Sequence, residues 1–259
     1  MQALEITHAN KTVRNGARDQ QKILADLSLT VAPGDFITVL GGNGAGKSTL
    51  FNSISGTLML DSGTVAIKGQ DITRLPEEKR AKYIARVFQD PKLGTAPRMT
   101  VAENLTLAQK RGQKRGLHLR KLKEQRAYFQ TICASIGNGL ENHLDTPTGH
   151  LSGGQRQALS LLMATLTKPE LLLLDEHTAA LDPKTAKQLM QVTDQKITAS
   201  QLTCLMITHK MEDALTYGNR LLVMKKGRIV HDFSAAEKAD LSLQDLFLFF
   251  EEDADLEVG

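Results

Sequence analysis

A glycine-rich stretch that ends in a lysine and two hydroxyl residues is the part of this sequence whose spacing fits a defined chemistry. Residues 41–49, Gly-Gly-Asn-Gly-Ala-Gly-Lys-Ser-Thr, match the phosphate-loop pattern G-x-x-x-x-G-K-[ST]. Glycines let the backbone turn tightly, so that successive N–H groups can point at phosphate oxygens. Lys47 would reach the β- and γ-phosphates, and the Ser48 hydroxyl would bind Mg²⁺. The stretch therefore predicts a site for a nucleoside triphosphate.

The segments on either side of this loop are those that a phosphate loop needs. Residues 36–40 are typical of a buried strand, and residues 47–55 are typical of a helix whose N-terminus faces the anion. A glycine-rich surface turn is the simpler alternative, but it does not require a strand before it and a Lys-Ser helix start after it. The predicted phosphate contacts are Gly41, Asn43, Gly44, Ala45, Gly46, Lys47, Ser48 and Thr49.

Two acidic residues follow an apolar run of four leucines. Residues 171–175 predict a buried strand that ends in Asp175, and Glu176 follows directly. In a phosphate-loop protein an acid at such a strand end positions Mg²⁺, so we predict that role for Asp175. Glu176 could polarise the water that attacks the γ-phosphate, as a general base. Alone, a strand followed by Asp-Glu usually marks only a strand end, so both predictions depend on the upstream loop.

A second glycine-containing turn, Leu-Ser-Gly-Gly-Gln at residues 151–155, opens another helix. A serine cap followed by two glycines at a helix start forms a nest for an anion, independent of the first. The predicted anion contacts are Ser152, Gly153, Gly154 and Gln155. At this point the sequence resembles the ATP-binding cassette family, whose hallmark pentapeptide it matches at all five positions.

The resemblance extends over about residues 4–230 and implies a fold class. The expectation is an α/β phosphate-loop NTPase of the cassette type, with a mostly parallel sheet core, a small antiparallel β subdomain and an inserted helical subdomain. We predict a single nucleotide-binding domain over residues 1–259, with its helical subdomain at about 90–170 and an acidic tail at about 251–259.

The resemblance also implies roles for three residues outside the motifs above. Gln89 corresponds to the switch glutamine, a catalytic residue that touches Mg²⁺ and the attacking water. Asp182 lies in the loop that crosses the dimer interface, and His209 corresponds to the switch histidine that contacts the γ-phosphate. Singly, a strand-end glutamine, a helix cap and a solvated histidine would be the simpler interpretations, whereas together they follow the order of the family.

The ligands and partners that the resemblance implies are ATP, Mg²⁺ and other protein chains. In this family the pentapeptide of one copy faces the nucleotide of the other, so a second copy of the chain is expected. Transmembrane permease subunits, a separate substrate-binding protein and a place at the cytoplasmic face of the plasma membrane are expected too. The sequence of residues 175–183 and 94–97 is similar to the corresponding segments of ATPases of bacterial uptake systems for tryptophan or related amino acids. A soluble cassette ATPase of the kind that assists iron–sulfur assembly is the alternative.

The elements that must position these residues follow from the pattern of apolar residues. Short strands around a polar loop at 10–21 predict the antiparallel layer, and strands alternating with helices predict the parallel sheet. The predicted strands lie at 3–8, 22–31, 36–40, 64–68, 84–88, 171–175 and 202–208, with two more around 226–227. Further helices are predicted at 101–109, 128–136 and 243–250, and one after Asp182.

Composition argues against several other classes of protein. The net charge of +3, with 24% charged residues, gives no polyanion-binding character, so nucleic acid is not expected as a partner. Cys133 and Cys204 are far apart and in no metal-ligand spacing, which predicts buried, reduced thiols. The apolar runs are too short for a membrane span, and no export leader is visible, so the chain is expected to stay in the cytoplasm.

Two residues differ from the family pattern, and one basic segment has two possible roles. Val13 lies near the place where family members present an aromatic ring to adenine, which predicts looser discrimination between ATP and GTP. His177 replaces the proline that usually follows the catalytic glutamate, and it could either bond near the site or serve the structure of the loop. Residues 110–126 hold eight Lys or Arg against one Glu, either as a solvated helical face or as an attraction to anionic lipid headgroups.

Overall fold

A computed structural model of the protein describes residues 1–15, 19–113 and 122–251. Within these residues the strands, in chain order, are β1 (Leu4–Asn15), β2 (Asp19–Val31), β3 (Phe36–Gly41), β4 (Ser62–Ile67), β5 (Gln70–Asp71), β6 (Ile84–Val87), β7 (Leu171–Asp175), β8 (Cys204–Ile207), β9 (Arg220–Lys225) and β10 (Arg228–Phe233). The helices are α1 (Lys47–Ser55), α2 (Glu77–Arg80), α3 (Val101–Gln109), α4 (Leu122–Ala134), α5 (Gly153–Leu166), α6 (Pro183–Ser200), α7 (Met211–Thr216), α8 (Ala235–Ala239) and α9 (Leu243–Glu251). Short 3₁₀ helices lie at Leu140–His143 and Thr148–His150.

The chain forms two compact units. The first unit consists of Met1–Pro76 and Thr203–Gly259, and the second consists of Glu77–Leu202. Helices α3, α4 and α5 fall within the interval 90–170, and the described part of that interval contains no named strand. The division into one nucleotide-binding domain with a helical subdomain stays a prediction. Residues 114–121 of the basic segment 110–126, among them Lys114, Arg115 and Lys121, lie outside the described residues, as does the tail after residue 251.

In the first unit, an antiparallel sheet has the strand order β2-β1-β4-β5. The polar loop predicted at 10–21 is wrong, because β1 continues to Asn15 and β2 begins at Asp19, with Val13 paired opposite Gln21. A carboxylate of the loop before β4 holds the outer part of β1 in place. Asp61 accepts from the Lys11 ammonium at 2.8 Å and from the Thr12 N–H at 2.7 Å. The polar side chains of residues 10–15 and 19–21 therefore belong to two paired strands.

The first unit also contains parallel strands around β3, whose six residues are all buried. β3 pairs in parallel with β8 on one side and β9 on the other, and β10 runs antiparallel to β9. Because β3 and β8 run in the same direction, their carboxyl ends lie at one edge. Helices α7 and α9 cover this layer through Ala214 and Leu246, which pack with Leu40 and Leu221.

In the second unit, β6 and β7 pair in parallel, with Ile84 opposite Leu171 and Val87 opposite Leu174. Helix α3 starts with a capping box in which the Thr100 hydroxyl accepts from the N–H of Glu103 and the Glu103 carboxylate accepts from the N–H of Thr100. Parallel pairing in both units, with a separate antiparallel sheet and helices between the strands, confirms the predicted α/β class.

Two predictions from composition can be compared with the structure. None of the described helices is long and apolar enough to cross a membrane. Cys133 and Cys204 are both buried and free, as predicted. Burial raises the pKa of the Cys133 thiol to about 12 and also raises that of Cys204. Since the thiolate is the reactive form, both cysteines behave as small apolar core residues.

Candidate active site

The predicted phosphate loop joins β3 to α1 in the first unit. Gly46 precedes α1 with a φ of 101°, and no hydrogen bond from a described side chain caps the helix start. The first N–H groups of a helix have no intrahelical acceptor, so they and the positive end of the helix dipole favour a bound anion. The backbone of this loop therefore suits a phosphate.

Glycine is required at two positions of the loop for close packing. A Cβ on Gly41 would lie 2.5 Å from the carbonyl oxygen of Met224, and one on Gly46 would lie 2.7 Å from that of Ile23. The positive φ of Gly46 is a second reason, because side chains with a Cβ rarely adopt it. The neighbouring strands β9 and β2 thus fix these glycines independently of any ligand.

Lys47 is almost fully buried, with 6% of its surface exposed. Its Nζ donates to the carbonyl oxygens of Gly41 at 2.7 Å and Gly42 at 3.1 Å. The side chain of Lys47 therefore folds back over the loop that precedes it. Ser48 and Asn43 are exposed. A lysine ammonium is a common partner of phosphate groups, and the contact of Lys47 with the β- and γ-phosphates stays a prediction.

His209 lies in the first unit, at the same sheet edge as the phosphate loop. The parallel register pairs Val39 with Ile207, and the N–H of Thr208 donates to the carbonyl oxygen of Val39 at 3.3 Å. His209 follows directly and is exposed. This placement is compatible with the predicted contact to a γ-phosphate, which stays a prediction. Val13 lies in the hairpin of the same unit, 36% exposed.

In the second unit, Gln89 lies two residues after β6, Asp175 is the last residue of β7 and Glu176 follows it, at the carboxyl ends of two paired parallel strands. Glu176 has a φ of 46°, in the left-handed region that residues with a side chain seldom occupy. Such backbone strain often occurs at functional sites, where the surrounding structure holds it. The structure therefore brings these three predicted residues to one edge and gives Glu176 an unusual backbone.

Asp175 has a partner that the sequence analysis missed. Nη2 of Arg86 donates to Oδ2 of Asp175 at 2.5 Å, and the two side chains are only 10% and 13% exposed. The Arg86 guanidinium also lies 4.8 Å from the centre of the Phe88 ring. A charged residue within the apolar run 84–88 was the signal that could have identified Arg86.

The pentapeptide adopts a capping box at the start of α5. The hydroxyl of Ser152 accepts from the N–H of Gln155, and the side chain of Gln155 accepts from the N–H of Ser152, both at 3.2 Å. A Cβ on Gly154 would lie 2.6 Å from Cγ2 of Thr185, so glycine is needed where α5 packs against α6. These contacts fix the shape of the turn.

Asp182 is the cap of α6, as the sequence predicted. Its Oδ1 accepts from the N–H of Thr185 at 3.1 Å. Hydrogen bonds from Thr185 and from neighbouring backbone N–H groups lower the pKa of the Asp182 carboxyl. The role of Asp182 at a dimer interface stays a prediction.

Arg156 and Gln157, just after the pentapeptide, also make contacts in the second unit that the sequence did not predict. Arg156 donates from Nε to the carbonyl oxygen of Thr148 at 2.9 Å and from Nη2 to that of Gly149 at 2.8 Å. Gln157, 1% exposed, donates from Nε2 to the carbonyl oxygen of Phe88 at 2.9 Å. Arg156 therefore supports the turn before the pentapeptide, and Gln157 ties α5 to the residue that precedes Gln89.

A cavity of about 250 Å³ in the second unit collects several of these segments. Its walls come from the loop after β6, the start of α5 and the loop after β7. The lining residues are Gln89, Asp90, Pro91, Lys92, Leu151, Gly153, Arg156, Gln157, His177, Ala180 and Leu181. Gln89 and Gly153, two predicted site residues from separate motifs, thus share one cavity.

His177 is a buried structural residue of this cavity wall. The Thr193 hydroxyl donates to the carbonyl oxygen of Leu189 at 2.7 Å, so its oxygen accepts from Nε2 of His177 at 3.1 Å. Burial lowers the pKa of His177 to about 4. The histidine is therefore neutral, with its proton on Nε2, and of the two interpretations left open the structure supports the role in the loop.

His177 is expected to destabilise the folded protein as the pH falls below about 6.5. The unfolded chain binds a proton near pH 6.5 and the folded chain only near 4, so stability is complete above 6.5 and decreases towards 4. Between about pH 7.5 and about pH 5 the loss should be about 2 kcal/mol. Urea unfolding of wild type and His177→Gln at these two pH values measures the free energy of unfolding. Between them, the variant should lose about 2 kcal/mol less of this free energy than wild type. Equal losses would show that His177 is not held neutral.

The predicted metal ligands are compatible with Mg²⁺. Ser48, Gln89 and Asp175 offer a hydroxyl, an amide and a carboxylate oxygen, and hard divalent cations prefer oxygen. No group of three or more His, Cys, Asp or Glu that could hold a metal occurs in the described residues.

The fold and the motifs define a phosphate-loop nucleoside triphosphatase with a second glycine turn. The sequence pattern described as "ABC transporter" matches residues 24–179, more than half of the chain. The chain therefore belongs to the ABC transporter family and is an ATP-binding and ATP-hydrolysing subunit of that family.

Relatives with a recorded role agree with this assignment. The chain is 42% identical over 249 residues to the tyrosine transport ATP-binding protein of Clostridioides difficile, covering 96% of this chain and 98% of that protein. It is 36% identical over 215 residues to the spermidine/putrescine import ATP-binding protein PotA of Haemophilus influenzae, covering 83% of this chain but only 55% of PotA.

Solved structures show the same fold. The dimeric ATP-binding cassette MJ0796 bound to ADP and Pi matches with a TM-score of 0.76 at 25% identity, covering 90% of this chain and 98% of that one. The ADP conformation of the cassette MJ1267 matches with a TM-score of 0.76 at 26% identity, covering 96% and 99%.

Proposed function

We propose that two copies of this chain hydrolyse ATP to drive uptake of an amino acid through separate membrane subunits. The observation that carries the proposal is the 42% identity with a tyrosine transport ATP-binding protein over nearly the full length of both chains. The substrate class is an aromatic amino acid, which agrees with the similarity of residues 175–183 to tryptophan-type systems. A separate substrate-binding protein would deliver it, and the chain would sit at the cytoplasmic face of the membrane through its permease partners.

The phosphate loop supplies the binding half of the mechanism. Residues 41–49 surround the phosphates with backbone N–H groups, and the buried Lys47 adds a positive charge. Ser48, Gln89 and Asp175 would hold Mg²⁺, which neutralises charge on the β- and γ-phosphates. In the first unit Ser48 lies in α1, directly after the loop that follows the buried strand β3, and in the second unit Gln89 and Asp175 lie at the ends of the paired strands β6 and β7.

The second unit supplies the groups for hydrolysis. Glu176 accepts a proton from the water, whose oxygen bonds to the γ-phosphorus as the bond to the leaving oxygen of ADP breaks. Gln89 orients that water, and His209 of the first unit donates to the γ-phosphate. Ser152, Gly153, Gly154 and Gln155 of one copy then contact the nucleotide of the other, with Asp182 at the interface between them. The dimeric state of MJ0796 supports this arrangement.

Purification of the native complex tests the transport proposal. A tagged chain, expressed in the native organism, should co-purify with membrane subunits that mass spectrometry can identify. In proteoliposomes made from that complex, tyrosine or tryptophan with the binding protein should stimulate ATP hydrolysis, and spermidine should serve as the negative control.

Two results would contradict this proposal. Stimulation by spermidine alone would assign the complex to polyamines. A chain found only in the soluble fraction, together with iron–sulfur assembly proteins, would favour the soluble cassette ATPase.

A further inference from the structure

We propose that Arg86 competes with Mg²⁺ for the carboxylate of Asp175 and so limits how strongly Mg²⁺ tightens nucleotide binding. The inference deepens the proposed function and depends on its Mg²⁺ site. Arg86 would be a positioning residue that acts through Asp175, without touching the nucleotide.

The Arg86–Asp175 pair is short and shielded from water. The parallel register places Arg86 opposite Leu173, two residues before Asp175. From there Nη2 reaches Oδ2 of Asp175 at 2.5 Å, with the two side chains 10% and 13% exposed. A charge-assisted bond of this length is stronger than a neutral one, and salt screens a pair so little exposed only weakly. The carboxylate predicted to bind Mg²⁺ is therefore already engaged by a cation of the same chain.

The guanidinium is held at this position from a second side. Its Cζ lies 4.8 Å from the centre of the Phe88 ring, a cation–π distance. The carbonyl of Phe88 accepts in turn from Gln157, which fixes the backbone next to Gln89.

The charges predict the direction of the effect. A Mg²⁺ ion at Asp175 would place two positive charges near the single charge of Arg86. The ion must either share the carboxylate with the guanidinium or displace it, and both cost free energy at low exposure. A neutral side chain at position 86 removes the repulsion and leaves Asp175 without its buried cation, so Mg²⁺ should gain affinity from both changes.

The strand itself supports a role for the charge. The other residues at 84–88 are apolar, and Ile84, Ala85 and Val87 are buried. A guanidinium in such a strand loses hydration, and apolar residues of similar volume are often at least as stabilising. Folding stability therefore gives no strong reason for arginine at this position.

Nucleotide binding with and without Mg²⁺ measures the competition directly. The dissociation constant of a fluorescent, non-hydrolysable ATP analogue is determined once in Mg²⁺ and once in EDTA. The constant in EDTA divided by the constant in Mg²⁺ gives the factor by which Mg²⁺ tightens nucleotide binding. This ratio reports the coupling between the ion and the protein and does not depend on the affinity for the nucleotide alone. In Arg86→Met the ratio should rise about fivefold or more, and in Arg86→Lys, which keeps the charge, it should stay closer to wild type.

Two further variants separate the effect from general damage. Arg126→Met removes an exposed Arg–Asp pair of the same unit, with bonds of 2.8 and 2.7 Å to Asp145, and should leave the ratio unchanged. In an Asp175→Asn background, Arg86→Met should no longer raise the ratio, because the shared carboxylate is gone. If Arg86→Met does not fold, Arg86→Gln carries the same expectation, since it keeps amide donors without the charge.

An unchanged ratio in folded Arg86→Met or Arg86→Gln would overturn the inference. A lowered ratio would also overturn it, since Arg86 would then orient Asp175 for the ion instead of competing. A wild-type protein whose nucleotide affinity is the same in Mg²⁺ and EDTA would instead contradict the proposed Mg²⁺ site itself. The failure of the inference and the failure of the proposed function are thus distinguishable.

Discussion

Glutamine in place of Glu176 is expected to lower the rate of ATP hydrolysis by about 10²–10⁴-fold while ATP still binds. The amide keeps the size of the side chain but cannot accept the proton of the attacking water. Because glutamine has the same length and branching, it is expected to adopt the left-handed backbone of this position, with a φ of 46°. Phosphate release and equilibrium binding of ATP, measured on the same preparation, test the two parts of the expectation.

A matched control lies at the other end of the same strand. Glu170 directly precedes β7 and has no predicted role, so Glu170→Gln should hydrolyse ATP at nearly the wild-type rate. With ATP bound and not hydrolysed, Glu176→Gln should also sediment as a dimer, whereas Glu170→Gln should not accumulate in that form. Normal hydrolysis by Glu176→Gln would remove this residue from the role of general base.

Methionine in place of Lys47 is expected to weaken ATP binding by about 30-fold or more. Loss of a buried charge partner costs about 2–5 kcal/mol, and each 1.4 kcal/mol is a factor of about ten. Lys47 is 6% exposed, and methionine fills a similar volume, so the change removes mainly the charge and its donors. Titration of a fluorescent ATP analogue in EDTA measures the effect without any contribution from Mg²⁺.

The first unit contains a second buried lysine that serves as the control. Lys238, 5% exposed, donates to the carbonyl oxygens of Tyr217 and Gly218, much as Lys47 donates to two carbonyls of its own loop. Lys238→Met should therefore lower the melting temperature to a similar degree without changing the affinity for ATP. If both variants lost affinity equally, the effect would reflect general stability and not the phosphate loop.

Elements with strong local signals were predictable from the sequence. The bounds of α1 and β7 are those predicted, because a phosphate loop and a run of four leucines each carry their own start and stop signals. Asp182 was identified as a cap because Pro183 follows it. Helix α8 was missed although Ser234 and Glu237 form a capping box, a spacing that the sequence does display.

Features that depend on pairing between distant segments were not predictable. The polar side chains of residues 10–15 predict a loop, and only the register with β2 and the bonds to Asp61 make these residues a strand. The partners of Arg86 and Gln157 lie 89 and 69 residues away along the chain. Single-sequence patterns report burial and period but not which strand lies beside which, so these contacts appear only in the structure.

The capping box of the pentapeptide has a consequence for repeated cycles of binding and release. A hydroxyl that accepts a hydrogen bond uses an oxygen lone pair and keeps its hydrogen. Ser152, which accepts from the N–H of Gln155, can therefore still donate to a phosphate oxygen of an arriving nucleotide. Since Gln155 and Arg156 already fix the turn, its conformational entropy is lost once, during folding, and not again at each encounter. Association and separation of the two copies can then proceed without any refolding of this turn.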